Sequence, residues 1–244
     1  MSTTERKPWT RDELLLTINL YCKTPFGRIH VRNPEIIELA EKLGRTPGSI
    51  SYKLANFSSL DQTLDRKGAG NVSKLDREVW AEFYDNWEGM LSESESKLAE
   101  LKGQPEIPKD LPEFKVTEGE TRETIVKTRV NQALFRKIIL SSYEEKCCIT
   151  GIDNAELLIA SHIIPWSKDV KNRLNPKNGI CLNALHDRAF DRGLITINED
   201  YKVVVSKKIK HELLSKYNKT PIFTGRFPPD QNFLKFHRDE IFIG

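Results

Sequence analysis

The stretch from Cys147 to Gly193 constrains this chain most, because short apolar runs there alternate with residues of catalytic type. β-Prone residues flank His162, which predicts that His162 lies at the end of a strand. A second short strand is predicted after the Asn178-Gly179 turn. From Asn183 the pattern becomes helical, and Gly193 ends that helix. The sequence therefore predicts a strand, a loop, a second strand and a helix.

The polar residues of this stretch suit phosphodiester hydrolysis. His162 lies on the predicted hairpin, and the predicted helix carries His186, Asp187 and Asp191. A hairpin and helix of this kind can hold one divalent ion between a base and a phosphate. The ion stabilises the leaving oxygen, and the histidine activates a water. Without further context, a lone histidine at a strand end is more often an ordinary half-buried residue.

The ordered set of residues resembles the HNH nuclease (ββα-metal) superfamily. It is closest to the bacterial subgroup with the core C-x-x-T-G, SHI-x-PW, NG-x-x-L and H-x-x-x-FD-x-G. The resemblance covers roughly half the chain, from Thr124 to Phe242. The matching residues are Cys147, Thr150, Gly151, Ser161, His162, Ile163, Pro165, Trp166, Asn178, Gly179, Leu182, His186, Phe190, Asp191 and Gly193, with Arg129, Gln132, Phe135, Arg136 and Tyr143 upstream.

The resemblance implies a function and a cofactor for the chain. It implies a metal-dependent DNA endonuclease of the bacterial or phage restriction and defence type, with dependence on modified DNA as a narrower hypothesis. The implied cofactor is a divalent metal ion, Mg²⁺ or Mn²⁺. The implied partner is double-stranded DNA. Because each chain carries one active site, cutting both strands predicts a homodimer.

The same resemblance implies roles for four residues. His162 matches the general base, and Asn178 matches the asparagine that braces the hairpin and orients that base. His186 matches the helix residue that binds the metal. Asp191 belongs to the Phe-Asp pair of the family and is either a second ligand or a brace. Since an unperturbed histidine titrates near about pH 6.5, cleavage is expected to rise through that pH.

Ser161 departs from the wider superfamily, where an Asp or His ligand often precedes the base. A neutral hydroxyl is a poor ligand for a hard cation. The metal then rests on His186, a carboxylate, waters and the substrate phosphate, and Asp187 stays open as a ligand. The departure keeps one alternative open, a DNA-binding regulator with an inactive HNH core. A second alternative is an RNase, because the same metal site can serve RNA.

Residues 1–60 predict an all-helical, helix-turn-helix-like DNA-binding domain. Its three short helices begin at the capping residues Thr10, Asn33 and Thr46. In that geometry the third helix faces the major groove, and Tyr52, Lys53 and Asn56 point outward to contact DNA. The alternative is a packing module with a solvated third face.

The rest of the chain divides by composition. A loop and one long helix from Ser73 extend the first domain over residues 61–102. Residues 103–122, with three prolines and many acids, predict a linker. Residues 123–244 form the predicted nuclease domain, so the fold class is α+β. Its Arg129, Arg136 and Arg173 are candidates for contact with the DNA backbone, or are simply solvated.

Charge and cysteine usage narrow the class of protein. The net charge is +3, with basic ends and an acidic middle, which suits a polyanionic partner. No apolar run is long enough for a membrane span, and the N-terminus has no signal-peptide core. The four cysteines do not form a secreted disulfide framework or the paired spacing of a zinc site, so a cytoplasmic location is expected.

Overall fold

The computed structural model describes residues 7–61, 69–103 and 122–244. The chain divides into two units, Met1–Glu106 and Ile107–Gly244, and each is treated by itself. The predicted linker lies almost wholly outside the described residues, as does most of the predicted loop that follows Asp61. The first unit is helical and the second combines helices with small sheets, which confirms the predicted α+β class.

The described α-helices of the first unit, except the last, begin where the capping residues predict. They are α1 (Arg11–Lys23), α2 (Pro34–Lys42), α3 (Pro47–Leu60), α4 (Lys74–Asp85) and α5 (Trp87–Lys102). Thr10 and Glu13 form a reciprocal capping box at α1. Asn33 and Thr46 cap α2 and α3, each with proline at the first helical position.

The prediction of one long helix from Ser73 is wrong. Asn86 separates α4 from α5, ending the first and capping the second. Its side-chain oxygen accepts a hydrogen bond from the Gly89 N–H at 3.1 Å. Asparagine competes for backbone hydrogen bonds in this way, and so it favours caps over helix interiors.

The outward position predicted for Lys53 and Asn56 on α3 is also wrong. Lys53 is only 6% exposed and Asn56 only 2%. The Nζ atom of Lys53 lies 2.9 Å from both carboxylate oxygens of Asp76 on α4. Because α4 packs on this face of α3, the lysine is held in a buried ion pair. Tyr52, at 52% exposure, does point outward.

The second unit opens with a helix laid against a β-hairpin. Helix α6 (Arg122–Ser142) packs on the antiparallel strands β1 (Leu158–His162) and β2 (Gly179–Asn183). His162 pairs with Gly179 at one end of the ladder. A Cβ atom at Gly179 would lie 2.5 Å from side-chain atoms of Phe135 and Ile139. Glycine is therefore required where β2 approaches α6.

Helix α7 (Ala184–Asp191) follows β2 directly and completes the predicted strand-loop-strand-helix order. Gly193, at φ +65°, ends it, and a Cβ atom there would lie 1.9 Å from the Ile241 carbonyl oxygen. The C-terminal end of the chain thus packs back against α7. Within α7, Leu185 is exposed and His186 is buried.

The remaining described elements of the second unit follow α7 in the sequence, and β3 packs against it. They are the antiparallel strands β3 (Ile195–Ile197) and β4 (Val203–Val205), and the helices α8 (Glu212–Ser215) and α9 (Gln231–Glu240). Within the described residues, none of the helices combines the length and apolar character needed to cross a lipid bilayer.

Candidate active site

His162, the last residue of β1, is held between two aromatic rings. The Phe135 ring from α6 stacks on the imidazole with centroids 3.7 Å apart and an interplanar angle of 13°. The Trp166 ring meets it edge-on at 5.4 Å. This packing fixes the plane of the imidazole and leaves it half-buried.

A backbone carbonyl decides which ring nitrogen of His162 carries the proton. The Nε2 atom lies 3.0 Å from the carbonyl oxygen of Arg173. Because a carbonyl only accepts hydrogen bonds, Nε2 is the protonated nitrogen and Nδ1 keeps its lone pair. Among the described residues, none forms a hydrogen bond to Nδ1. The ring therefore presents one basic nitrogen.

Desolvation by burial, with a smaller contribution from the Arg173 charge, lowers the pKa of His162 to about 4 against the opposing effect of the hydrogen bond to the Arg173 carbonyl. The expected titration near pH 6.5 is therefore wrong for this residue. The sequence reasoning assumed a solvated ring, whereas Phe135 covers one face of it. At neutral pH His162 is in the form that a general base needs.

Asn178 ties the end of the hairpin to the loop between β1 and β2. Its Oδ1 atom accepts from the Ile164 N–H at 2.8 Å. Its Nδ2 atom donates to the carbonyl oxygens of Ile164 at 3.3 Å and Asn172 at 3.2 Å. Since Arg173 follows Asn172, this bracing fixes the loop that carries the carbonyl bonded to His162. Its contribution to catalysis stays a prediction.

His186 lies in the first turn of α7 and is only 3% exposed. Its Nδ1 atom lies 3.0 Å from Oδ1 of Asn183. That oxygen already accepts the N–H groups of Leu185 and His186, so it is an acceptor and Nδ1 of His186 carries the proton. The Nε2 atom is buried without a hydrogen-bond partner among the described residues. Burial first, and then Lys216, lower the pKa of His186.

Two carboxylates of α7 lie one turn apart beside this histidine. Burial raises the pKa of Asp187, against the effect of the nearby Ser161 hydroxyl. Partial desolvation and then the Asp187 charge raise the pKa of Asp191 to about 6. Ser161 is buried, and its Oγ atom makes no hydrogen bond of ordinary geometry within the described chain. Asp187 is therefore the carboxylate that faces the serine in the expected ligand position.

The side chains around His186 determine whether a metal ion can bind at this site. In the described part of the chain, no group of three or more His, Cys, Asp or Glu side chains is arranged to hold one. An unprotonated, buried Nε2 without a partner is nevertheless what a metal ligand offers. With neighbouring carboxylates, the residues present fit a cation held by few protein atoms and completed by water and phosphate.

The three candidate arginines do different things in the structure. Arg136 donates to the carbonyl oxygens of Leu158 at 2.7 Å and Ala155 at 3.1 Å, joining α6 to the start of β1. Arg173 donates from Nε to the Trp166 carbonyl oxygen at 2.9 Å. Arg129 is half-buried, and its Nε atom has no partner among the described residues. Their contact with DNA stays a prediction.

Sequence reasoning missed two residues that shape the site. Phe135 enters the sequence analysis only as one of the residues that match the family, and no local pattern predicts its stack on His162. Asn183 sets the protonated nitrogen of His186. A signal for Asn183 existed, because an asparagine directly before a helical pattern is a typical cap.

A hairpin whose first strand ends in His162 is followed at once by a helix that carries the buried His186, which is the strand, strand and helix order expected of a ββα-metal site. Residues 147–198 match the family model of the HNH endonucleases. That segment runs from the turn before β1 through β3, so this part of the chain is similar to an HNH endonuclease domain. The match confirms the resemblance.

Comparison with solved structures and curated proteins adds little. A modification-dependent TagI restriction endonuclease is 22% identical over 45% of this chain and 38% of its own, with a TM-score of 0.35. The chain thus spans well under half of that protein, and we conclude nothing about function from so weak a likeness. No curated protein matches the chain.

Proposed function

We propose that this chain is a metal-dependent endonuclease that hydrolyses phosphodiester bonds in double-stranded DNA, with His162 as the general base. The observation that carries the proposal is the state of His162. Phe135 and the Arg173 carbonyl fix its ring, and its Nδ1 atom is unprotonated and without a partner in the described chain. A fixed imidazole with one basic nitrogen is what proton abstraction from water requires.

The protein contributes a positioned base and a fixed loop to the reaction. Nδ1 of His162 takes a proton from the attacking water, while Nε2 stays bonded to the Arg173 carbonyl. Asn178 keeps that carbonyl in place through its bond to the Asn172 carbonyl. The lowered pKa means that the imidazole does not have to lose a proton before it acts at neutral pH.

His186 and a carboxylate of α7 would hold the divalent ion. When bound, such an ion supplies Lewis acidity at a phosphate oxygen and stabilises the leaving oxygen. We place Asp187 before Asp191 in this role, because Asp187 faces Ser161 and is half-buried, whereas Asp191 is exposed at the end of the helix. Asp191 then acts as a more distant carboxylate on the same side of α7.

DNA contact is proposed for both units of the chain. In the nuclease domain, Arg129, Arg136 and Arg173 would lie along the DNA backbone beside the hairpin. In the first unit, the exposed Tyr52 supports a DNA contact through α3. Lys53 is no longer a candidate for such a contact because it lies in a buried ion pair, and Asn56 is no longer one because it is buried. A restriction or defence role rests on the resemblance of the core residues alone.

A cleavage assay separates this function from its alternatives. Supercoiled plasmid and a structured RNA are each incubated with the protein and Mg²⁺ or Mn²⁺, and a chelator serves as control. Plasmid cleavage that the chelator abolishes supports the proposal. Cleavage of RNA alone identifies an RNase, and DNA binding without cleavage identifies a regulator with an inactive core.

Two further measurements address the narrower hypotheses. Digesting modified and unmodified genomic DNA, followed by sequencing of the ends, tests for a restriction site and for dependence on modification. Equal digestion of both DNAs removes that dependence. Sizing of the protein in solution, with and without DNA, tests the expected homodimer.

A further inference from the structure

The segment after α8 approaches the proposed metal ligand from outside the hairpin and helix. The Tyr217 ring meets the His186 ring edge-on, with centroids 4.9 Å apart. The ammonium of Lys216 lies 5.1 Å from the centroid of the Tyr217 ring. A third element of the fold therefore brings a cation close to His186, although Lys216 lies 30 positions further along the sequence.

This segment is anchored to the β3–β4 hairpin. The Lys219 N–H donates to the Val203 carbonyl oxygen at 2.7 Å. The Val205 N–H donates to Oδ1 of Asn218 at 3.1 Å. These bonds tie both ends of β4 to the residues just after Tyr217. The position of Lys216 is consequently set by the fold and not by a free loop.

Lys216 is exposed, and it forms no ion pair with an acid of the described chain. Its ammonium lies over the Tyr217 ring, and that ring meets the imidazole of His186 edge-on, so the charge is one ring away from the proposed ligand. A cation beside a metal ligand opposes metal binding by Coulomb repulsion. An exposed ammonium that no acid of the described chain neutralises is available to bind an anion from outside the chain.

We propose that Lys216 is a phosphate-binding residue of the active site, whose ammonium binds a DNA backbone phosphate at or next to the one that is cut. This inference rests on the proposed function and extends it. A lysine suits the role, because its ammonium is a compact point charge on a flexible stem that can reach a phosphate. Tyr217 would act as the spacer that holds the cation beside His186.

The first test compares two lysines of the same region. Lys216→Ala is expected to lower kcat/KM for plasmid cleavage by about tenfold to a hundredfold, the range for losing a hydrogen bond to a charged group. Lys216→Arg keeps the charge and is expected to stay within about threefold of wild type. Lys210→Ala is the matched control, because Lys210 is also exposed and no contact joins it to His186.

The second test uses DNA binding with metal chelated, so it does not depend on cleavage. The slope of the logarithm of affinity against the logarithm of salt concentration is measured. Lys216→Ala is expected to reduce that slope by about 0.9, the loss of one phosphate contact. An unchanged slope would overturn the proposal.

The third test is metal titration of the protein without DNA. Removing the Lys216 charge should tighten Mn²⁺ binding by about twofold to fivefold, because a repulsive charge has gone. Lys210→Ala should leave the metal affinity unchanged. A residue of purely structural importance would weaken metal binding, so this opposite sign is specific to the proposal.

The outcomes also separate this inference from the function on which it rests. If wild type cuts DNA and Lys216→Ala cuts it equally well, the endonuclease stands and the role of Lys216 is wrong. If wild type does not cut DNA but Lys216→Ala still lowers the salt slope of binding, Lys216 binds phosphate and the nuclease function is wrong. Loss of cleavage with unchanged DNA binding and weaker metal binding would contradict the role of Lys216.

Discussion

Two histidines of the nuclease domain occupy nearly the same environment and differ at one atom. His162 stacks on Phe135, and His237 stacks on Phe190, each at 3.7 Å and 13°. In both, Nε2 faces a backbone carbonyl oxygen, at 3.0 Å and 3.1 Å. Desolvation lowers the pKa of both to about 4.

The difference lies at Nδ1. In His237 this nitrogen lies 2.8 Å from the Thr196 hydroxyl, which donates to it because Nε2 already carries the proton. The residue is 1% exposed and joins α9 to β3 and to the end of α7. In His162 the same nitrogen has no partner in the described chain. The lowered pKa and the aromatic stack therefore do not distinguish the two rings, and only that of His162 keeps a ring nitrogen open to accept a proton.

The largest effect is expected for His162→Ala. The cleavage rate at saturating metal should fall by at least about 10²–10⁴, the usual contribution of a general base. DNA affinity should change little, whereas the melting temperature should fall, because the variant loses the Phe135 stack and leaves the Arg173 carbonyl without its partner. Rates come from single-turnover cleavage and affinities from DNA titration. A near wild-type rate would remove His162 from the reaction.

His237→Ala should instead act on stability. It leaves the Thr196 hydroxyl and the Phe190 carbonyl without partners and opens a cavity. We expect the free energy of unfolding to fall by about 2–4 kcal/mol, as measured by denaturant titration. His237→Gln, which can still donate to a carbonyl, should lose less. If His237→Ala folds with wild-type stability but loses as much cleavage activity as His162→Ala, the assignment of His162 as the base and His237 as a structural residue is wrong.

Acid should weaken the fold through these same rings. An unfolded histidine titrates near about 6.5, whereas the folded pKa of His237 is about 4. Between these values the unfolded chain binds more protons, so stability is lost as pH falls from about 6.5 toward 4. Replacing His237 by Gln should make the loss between about pH 7 and 5 smaller by about 2 kcal/mol. An unchanged loss, by denaturant titration at each pH, would mean that His237 is not desolvated.

The smallest expected effects distinguish the Phe135–His162 stack from the Phe190–His237 stack. Phe135→Leu and Phe190→Leu should each lower the free energy of unfolding by about 1–1.5 kcal/mol. Phe135→Leu should also raise the pKa of His162 toward its ordinary value, so the acid limb of the cleavage profile moves to higher pH. Phe190→Leu should not move that limb. Equal pH profiles for the two variants would contradict the role given to Phe135.

The hairpin and α7 were predictable because their signals are local. The alternation around His162, the Asn178-Gly179 turn and the Gly193 stop each lie within a few residues of the element they shape. The same holds for the caps of α1, α2 and α3, where Thr10 and its counterparts sit directly before each helix. Patterns of this kind need no knowledge of which elements pack together.

The errors came where a distant element decides the environment. Lys53 looks solvent-facing along α3, but Asp76 on α4 binds it. The pKa of His162 depends on Phe135, 27 positions earlier in the sequence. No sequence pattern around Lys216 predicts that it lies close to His186. Side-chain spacing within one element cannot reveal such contacts, because they follow from tertiary packing.

The break at Asn86 is a different kind of error. The aromatic stripe that includes Trp80, Phe83, Tyr84 and Trp87 continues across it, and those rings do pack in sequence. The apolar pattern therefore hid the break. The capping tendency of asparagine was visible in the sequence and should have weighed more than the continuity of the stripe.

Nitrogen-15 NMR of the histidine rings tests the central claim most directly, since it reports which ring nitrogen carries the proton. Spectra of metal-free protein near about pH 7 are assigned with His162→Ala, His186→Ala and His237→Gln. The account predicts neutral rings protonated at Nε2 in His162 and His237, and at Nδ1 in His186. A proton on Nδ1 of His162, or a charged His162 ring at that pH, would contradict it.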